Sequence, residues 1–209
     1  MAIIDLKSGE LSDHLVKAAA ALKDGYVIVA PLENSYALVA DAFFHDAVRA
    51  MHVLRGDELG ISAQVVISSS TAVDGIARDV TEPARALMAK FWPGLLSLNL
   101  KPQRGLNWDL GDGQQLDSFS VRVPSADFIQ KLAKAHGPLA VASAARAGKS
   151  PITDPNDLTF TELEVAAIFS VGSITQGPAT TVIAGDRDPA RIMRVGAISA
   201  DQITAIAPD

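Results

Sequence analysis

The sequence contains no cysteine, which excludes disulfides, thiolate zinc sites, iron–sulfur clusters and cysteine nucleophiles together. Aromatic residues make up only 5% of its 209 positions, and His14, His45, His52 and His136 are its only imidazoles. No two of them fall at the i, i+4 spacing that sets a pair of ligands on one helical face, so no metal site is expected. Also missing is any apolar run near the roughly 20 residues that a bilayer span needs. The first residues include Asp5, Lys7, Glu10 and Asp13 rather than a basic stretch followed by an apolar one. No signal peptide is therefore expected, and a cytoplasmic location is. Nor is there an excess of cations: 18 Lys and Arg stand against 24 Asp and Glu, for a net charge of −6. That balance argues against a chain that coats nucleic acid electrostatically and leaves room only for a local basic cleft.

What is present is a globular composition, 48% apolar and 20% charged. A chain of this length buries about 70% of its unfolded surface, which predicts one domain spanning 1–209. Leu11, Leu15, Ala18, Ala19 and Leu22 recur at helical spacing. They predict a helix over 12–23 with Ser12 as N-cap and Gly25 in the left-handed position past its end. Residues 2–6 and 26–30 read as strands, the second halted by Pro31. Further helices are expected over 46–54, 82–91 and 126–136 and from Ser199 onward. Strands are expected over 64–68, 95–100, 118–123, 139–142, 166–171, 180–183 and 192–195. Residues 101–117, rich in Gly, Asp, Asn and Gln without periodicity, read as an exposed hairpin or long loop. The sum is an α/β or α+β domain with a large mixed sheet.

Few local motifs carry chemistry. Asp109, Asp112 and Asp117 share a polar stretch, but the glycine and terminal glutamate of a calcium loop do not fit, so a solvated loop is expected. Residues 143–150 end like a phosphate-binding loop, yet Ser143 stands where its first glycine belongs and Pro151 follows at once, so that match is set aside. Ser97 and Ser143 lack the G-x-S-x-G elbow of a serine hydrolase.

Six fragments taken in order do resemble one family. They are Gly25 to Pro31 followed by Glu33 and Tyr36; Phe91-Trp92-Pro93-Gly94-Leu95-Leu96-Ser97; Val121-Arg122-Val123-Pro124; Pro138-Leu139 leading to Ser143-Ala144; Thr180-Thr181-Val182-Ile183; and Met193-Arg194-Val195-Gly196-Ala197-Ile198. From about Leu15 to Ile198 the chain resembles the YrdC-like family, the L-threonylcarbamoyladenylate synthases. The resemblance implies a twisted open mixed sheet with flanking helices around a concave cleft. It also implies an activity, the conversion of ATP, L-threonine and bicarbonate to threonylcarbamoyl-AMP and pyrophosphate, which serves adenosine 37 of tRNA. ATP with magnesium and tRNA are the ligands this implies. Such chemistry asks for positioning and for cations that neutralise phosphates, which suits the K-x-R and S-x-N pairs of the family.

Those pairs are where this chain departs. K-x-R aligns on Arg55-Gly56-Asp57, so one cation becomes an anion. At an assumed 5 Å and an effective dielectric near 20, each unit-charge pair is worth about 3 kcal/mol, and the reversal disfavours a neighbouring phosphate by roughly twice that. S-A-N becomes Ser143-Ala144-Ala145, which loses an amide, and Leu32 and Asn34 replace two threonines. Arg55, Arg122, Ser143, Thr180 and Arg194 remain as candidate substrate- or nucleotide-binding residues, with Leu32, Asn34, Asp57 and Ala145 as cleft-lining departures; no catalytic residue is assigned. Arg122 either faces the cleft or pairs with a buried acid. These losses predict a catalytically impaired member that binds nucleotide, structured double-stranded or transfer RNA, or a protein partner. The alternatives are an active synthase and a related nucleotidyl-transfer enzyme using another small acid.

Overall fold

The computed structural model describes residues 3–115 and 117–208, so Ala2 of the first expected strand lies outside it. In chain order the elements are β1 (Ile3–Asp5), α1 (Leu11–Lys23), β2 (Ile28–Pro31), β3 (Tyr36–Asp41), α2 (His45–Arg55), β4 (Gln64–Val66), α3 (Val73–Ile76), β5 (Ala77–Arg78) and α4 (Glu82–Phe91). Then follow β6 (Leu96–Pro102), β7 (Phe119–Arg122), α5 (Asp127–His136), β8 (Leu139–Ser143), β9 (Ile168–Ser170), β10 (Thr181–Ala184), β11 (Arg191–Arg194) and α6 (Ala200–Thr204). The fold is mixed α/β. One sheet runs in the order β1-β9-β2-β3-β8-β4-β7-β6-β10-β11, with β5 paired to β6. Parallel pairs (β1 with β9, β9 with β2, β4 with β7, β6 with β10) occur beside antiparallel ones (β2 with β3, β3 with β8, β8 with β4, β7 with β6, β10 with β11), so the sheet is mixed.

Helices pack on both faces. Ala18 and Leu22 of α1 and Phe128, Ile129, Leu132 and Ala133 of α5 lie over Ile28, Ala30, Val39, Leu139 and Val141. The other face presents Leu38, Val65, Leu96, Leu98, Leu100 and Val121 to Val48 and Met51 of α2 and to Leu87 and Met88 of α4. Apolar residues three or four apart on each helix explain the pairing, since one stripe meets the sheet and the rest faces water. Thr81 caps α4 by accepting from the Ala84 amide, and Ser199 and Gln202 form a capping box on α6. Among the described residues no helix is long and apolar enough to cross a membrane.

Two expectations change, and one strand forms where none was assigned. Glu10, not Ser12, is the N-cap of α1, without a side-chain hydrogen bond; Gly25 does take the left-handed conformation, at φ +81°, and the Phe44 ring fills the place a Cβ would need. Residues 36–41 form the central strand β3, flanked by β2 and β8. The stretch after β6 is not an exposed decoration, for Trp108, Leu110 and Asp112 are buried. Trp108 lies 5.6 Å from the Phe43 ring and 5.0 Å from that of Phe119. The Leu110 carbonyl accepts from the Ala63 amide at 2.7 Å and lies 2.8 Å from His52 Nε2. Few anchors hide in a polar sequence, and they suffice to fix its backbone. Asp109 accepts from the amides of Gly111 and Gly113 as a turn residue rather than as a metal ligand.

Candidate functional site

Strand alternation builds the first part of the site. In Leu96–Pro102 and Phe119–Arg122 every second residue is polar, so Ser97, Ser120 and Arg122 share one face with Gln64 of β4. The Gln64 amide donates to Ser97 Oγ at 2.8 Å and to Ser120 Oγ at 3.1 Å, and its oxygen accepts from Arg122 Nε at 3.1 Å. Arg122 then reaches the turn after β2, where its two terminal nitrogens donate to Glu33 Oε1 and Oε2 at 2.8 and 2.9 Å. The Ser125 amide adds a bond to the same carboxylate at 2.7 Å. Both side chains are buried, at 4% exposure for Arg122 and 12% for Glu33. Burial alone would raise the Glu33 carboxyl, but the guanidinium and the Ser125 amide outweigh it and hold it below the usual carboxylate range.

Against this pair lies a cavity of about 320 Å³ lined by Leu32, Asn34, Leu95, Arg122, Pro151 and Thr180, among others. One wall is the strap between β9 and β10. Tyr36 Oη holds its start by donating to the Gly172 carbonyl at 2.6 Å, and Asn34 Nδ2 holds its end through the Pro178 carbonyl at 2.7 Å. Gly177 leaves the space that the Asn34 amide fills. Arg194 closes the rim, with Nη2 on the Thr180 carbonyl and hydroxyl, both at 3.0 Å.

The remaining candidates form a second cluster at the end of β8. Arg55 Nη1 donates to the carbonyls of Ser143 and Ala145 at 2.6 and 3.0 Å, while its Nε donates to Asp57 Oδ2 at 2.8 Å. His52 Nδ1 lies 2.8 Å from the same carboxylate oxygen. Asp57 is 5% exposed at its side chain. Burial raises its carboxyl, and the bonds from Arg55 and His52 more than offset that, holding it low. Asp57 thus differs from the free anion facing a phosphate that the sequence implied: its charge is answered by Arg55. The Ser143 hydroxyl accepts from the Ala145 amide at 3.2 Å. A second cavity of about 280 Å³ opens here, lined by Leu54, Ala144, Ala145, Arg146, Lys149 and Phe160 among others.

Arg122, Thr180, Leu32 and Asn34 therefore share one cavity with Arg194 at its rim. Arg55, Asp57, Ser143 and Ala145 gather beside the other. The cavities flank one short segment, for Pro151 lines the first and Ser150 and Ile152 the second. Between the two readings of Arg122, the structure places it in an ion pair that also borders the cavity. Gln64 and Ser120 escaped the sequence reading, although the polar alternation of the two strands was a signal for the second, and Glu33 was quoted only as part of a motif, without a site role. His14, His45, His52 and His136 each lie on a backbone carbonyl or a carboxylate. Among the described residues no group of three His, Asp or Glu could hold a metal.

Comparison with known proteins bears on this geometry. A family model described as telomere recombination and covering Sua5, YciO and YrdC matches residues 20–196. Over 193 residues the chain is 31% identical to a Mycobacterium leprae protein provisionally named threonylcarbamoyl-AMP synthase, covering 92% of this chain and 87% of the relative. The structure of Pyrococcus abyssi Sua5 complexed with L-threonine superposes with a TM-score of 0.88 at 25% identity, over 99% of this chain. This chain spans only 61% of that protein. Escherichia coli YciO superposes with a TM-score of 0.81 at 22% identity, over 96% of this chain and 97% of its own, a likeness of fold.

Proposed function

The chain belongs to the Sua5/YciO/YrdC family, and from that premise we propose that it is a nucleotidyltransferase of the threonylcarbamoyl-AMP synthase type. ATP, L-threonine and bicarbonate are its substrates, and its product supplies tRNA modification at adenosine 37 in the cytoplasm. L-Threonine and bicarbonate condense to a carbamate with loss of water. A carboxylate oxygen of the carbamate then bonds to the α-phosphorus of ATP as the α–β bridging P–O bond breaks, and pyrophosphate leaves. The observation that carries this reading is that the residues the resemblance marks for substrate border two neighbouring cavities, one on either side of residues 150–152, where bound reactants can be held in orientation. The sequence alone pointed to an impaired member because of Asp57, Ala145 and the two replaced threonines; with the Asp57 carboxylate held by Arg55 and His52, the first of these grounds weakens. In the first cavity Thr180 and Arg194 are the group that meets the small acid, a hydroxyl and a guanidinium at one rim. Arg122 acts there through Glu33, keeping the turn 32–35 in place.

A second reading is supported by the same clusters, because the guanidinium groups of Arg55 and Arg122 already spend most of their donors on the protein. On that reading the chain is a silent relative that binds nucleotide, tRNA or double-stranded RNA, or a partner. Pyrophosphate release separates the two. Steady release that needs L-threonine and bicarbonate together is expected. ATP binding without threonine-dependent release would leave the silent reading standing, and release driven by a different amino or hydroxy acid would identify another small substrate.

A further inference from the structure

His52, a mostly buried side chain near the end of α2, borders neither of the two cavities and yet touches two separate segments. Its Nδ1 lies 2.8 Å from Asp57 Oδ2, and its Nε2 lies 2.8 Å from the Leu110 carbonyl. A carboxylate and a carbonyl only accept, so the ring donates at both ends. The end of the helix sets up the first contact. Gly56, left-handed at φ +67°, turns the chain back and lets the Asp57 amide donate to the His52 carbonyl at 3.1 Å. Gly111 sets up the second, because its positive φ and missing Cβ leave the place that the imidazole fills.

The two ends differ in how firmly they are held. Leu110 is buried in the segment that Trp108 anchors between the rings of Phe43 and Phe119, and its carbonyl also accepts from the Ala63 amide at 2.7 Å. Asp57 leads the other way. Its Oδ2 accepts from Arg55 Nε at 2.8 Å, and Arg55 Nη1 donates to the carbonyls of Ser143 and Ala145. The Arg55 carbonyl accepts from the Ala147 amide at 2.9 Å. From Arg146 to Ser150 this loop is exposed, so no apolar packing orders it there, and the bonds of Arg55 do so instead. An arginine side chain has many rotamers to lose; the carboxylate on Nε holds one of them, with Nη1 aimed at the loop. An unbroken line of hydrogen bonds thus runs from the Leu110 carbonyl through His52, Asp57 and Arg55 to residues 143–147.

We propose that His52 is a positioning residue, which passes the fixed position of segment 107–113 through Asp57 and Arg55 to the loop 143–147 beside the second cavity. That this loop serves synthesis rests on the threonylcarbamoyl-AMP synthase reading; that His52 orders it does not. Two variants of the full chain separate the ends of the ring. In His52→Asn the amide nitrogen stands near the place of Nδ1 and keeps a donor for Asp57, whereas in His52→Gln it stands near the place of Nε2 and keeps one for Leu110. Amide hydrogen exchange reads both segments, and a thermal melt checks that each variant is folded. His52→Gln should speed exchange at Ala145 and Ala147 about tenfold or more, while His52→Asn leaves them within about threefold and loosens Gly111 and Gly113 instead. Asp57→Ala cuts the next bond in the line and should loosen Ala145 and Ala147 but spare Gly111 and Gly113, which keeps the test open if His52→Gln does not fold. In threonine-dependent pyrophosphate release, His52→Gln should lower kcat about tenfold, since a misplaced loop costs orientation, and leave KM for L-threonine within about twofold; His52→Asn should stay near wild type. Unchanged exchange at Ala145 and Ala147 in the folded variants would overturn the proposal. Equal loosening by His52→Asn and His52→Gln would overturn it too, as would kcat values that follow the melting temperature rather than the exchange of the loop. Absence of threonine-dependent release from wild type would remove the synthase reading alone, with the exchange pattern still deciding the role of His52.

Discussion

At the scale of single residues, the charged groups of the candidate site are bonded to the protein itself. Glu33 and Arg122 are 89 residues apart and form a two-pronged pair beneath the first cavity. Removing one member of a buried pair leaves the other uncompensated, so Glu33→Gln should cost roughly 3–5 kcal/mol in urea denaturation at neutral pH. The pH dependence has a definite sign. The Glu33 carboxyl is held low in the fold, so its stabilisation is fully present above its unfolded value near 4.3 and declines as the pH drops through the lower folded value. Wild type should therefore lose stability below about pH 4.3 more steeply than Glu33→Gln does; parallel acid limbs would contradict the pairing. Asp57 makes the complementary case. Placing a cation at that position, Asp57→Arg, would set a second guanidinium against Arg55 and remove the carboxylate that His52 and Arg55 share. The variant should be less stable by roughly 2–4 kcal/mol, between the values for exposed and buried pairs, and a stabilised variant would show that position 57 faces a ligand instead.

At the scale of elements, most helices and strands were legible because their signals are local. Apolar spacing marks α1, α2, α4 and α5, and Thr81 and Ser199 mark the starts of α4 and α6. What was not legible depends on contacts far apart in the chain. β3 follows a polar turn and received no assignment from the sequence; its registers with β2 and β8 establish it. The loop after β8 is held by Arg55, 90 residues away from Ala145. The segment after β6 is the clearest instance. Its glycines and acids describe a loop, while Trp108 carries its weight between Phe43 and Phe119. Trp108→Ala should cost about 3–5 kcal/mol in chemical denaturation, the figure for a core aromatic. A cost under about 1 kcal/mol would mean that the segment is the decoration its composition suggests. The candidate site was half legible for the same reason: the resemblance located Arg122, Thr180, Ser143 and Arg194, but which of them are free and which are bound to the protein is a matter of tertiary geometry.

At the scale of the whole molecule, charge and topology both favour a small ligand held by many segments. The net charge of −6 is accompanied by extensive pairing of its cations: Arg49 with Asp46, Arg78 with Asp117, Arg85 with Asp74, Lys131 with Asp127. Arginines neutralised in this way add little to the attraction of a nucleic-acid backbone. The two cavities, by contrast, draw their walls from residues 32–35, 54, 95, 122, 144–152, 159–164 and 176–180, and no local piece of the chain contains either one. A ligand there binds only when the sheet is assembled from β2 to β10. We take residues 1–209 as one cooperative domain, so nucleotide should stabilise the fold as a unit. At a hundred times its dissociation constant, a ligand that binds only the folded state adds about 2.7 kcal/mol. For a chain of this size that shifts the melting temperature upward by roughly 5–10 °C. Scanning calorimetry with saturating ATP should show one transition displaced as a whole. Two transitions of which ATP moves only one would mean that the halves of the sheet fold separately and that a single half holds the ligand, which neither cavity wall allows.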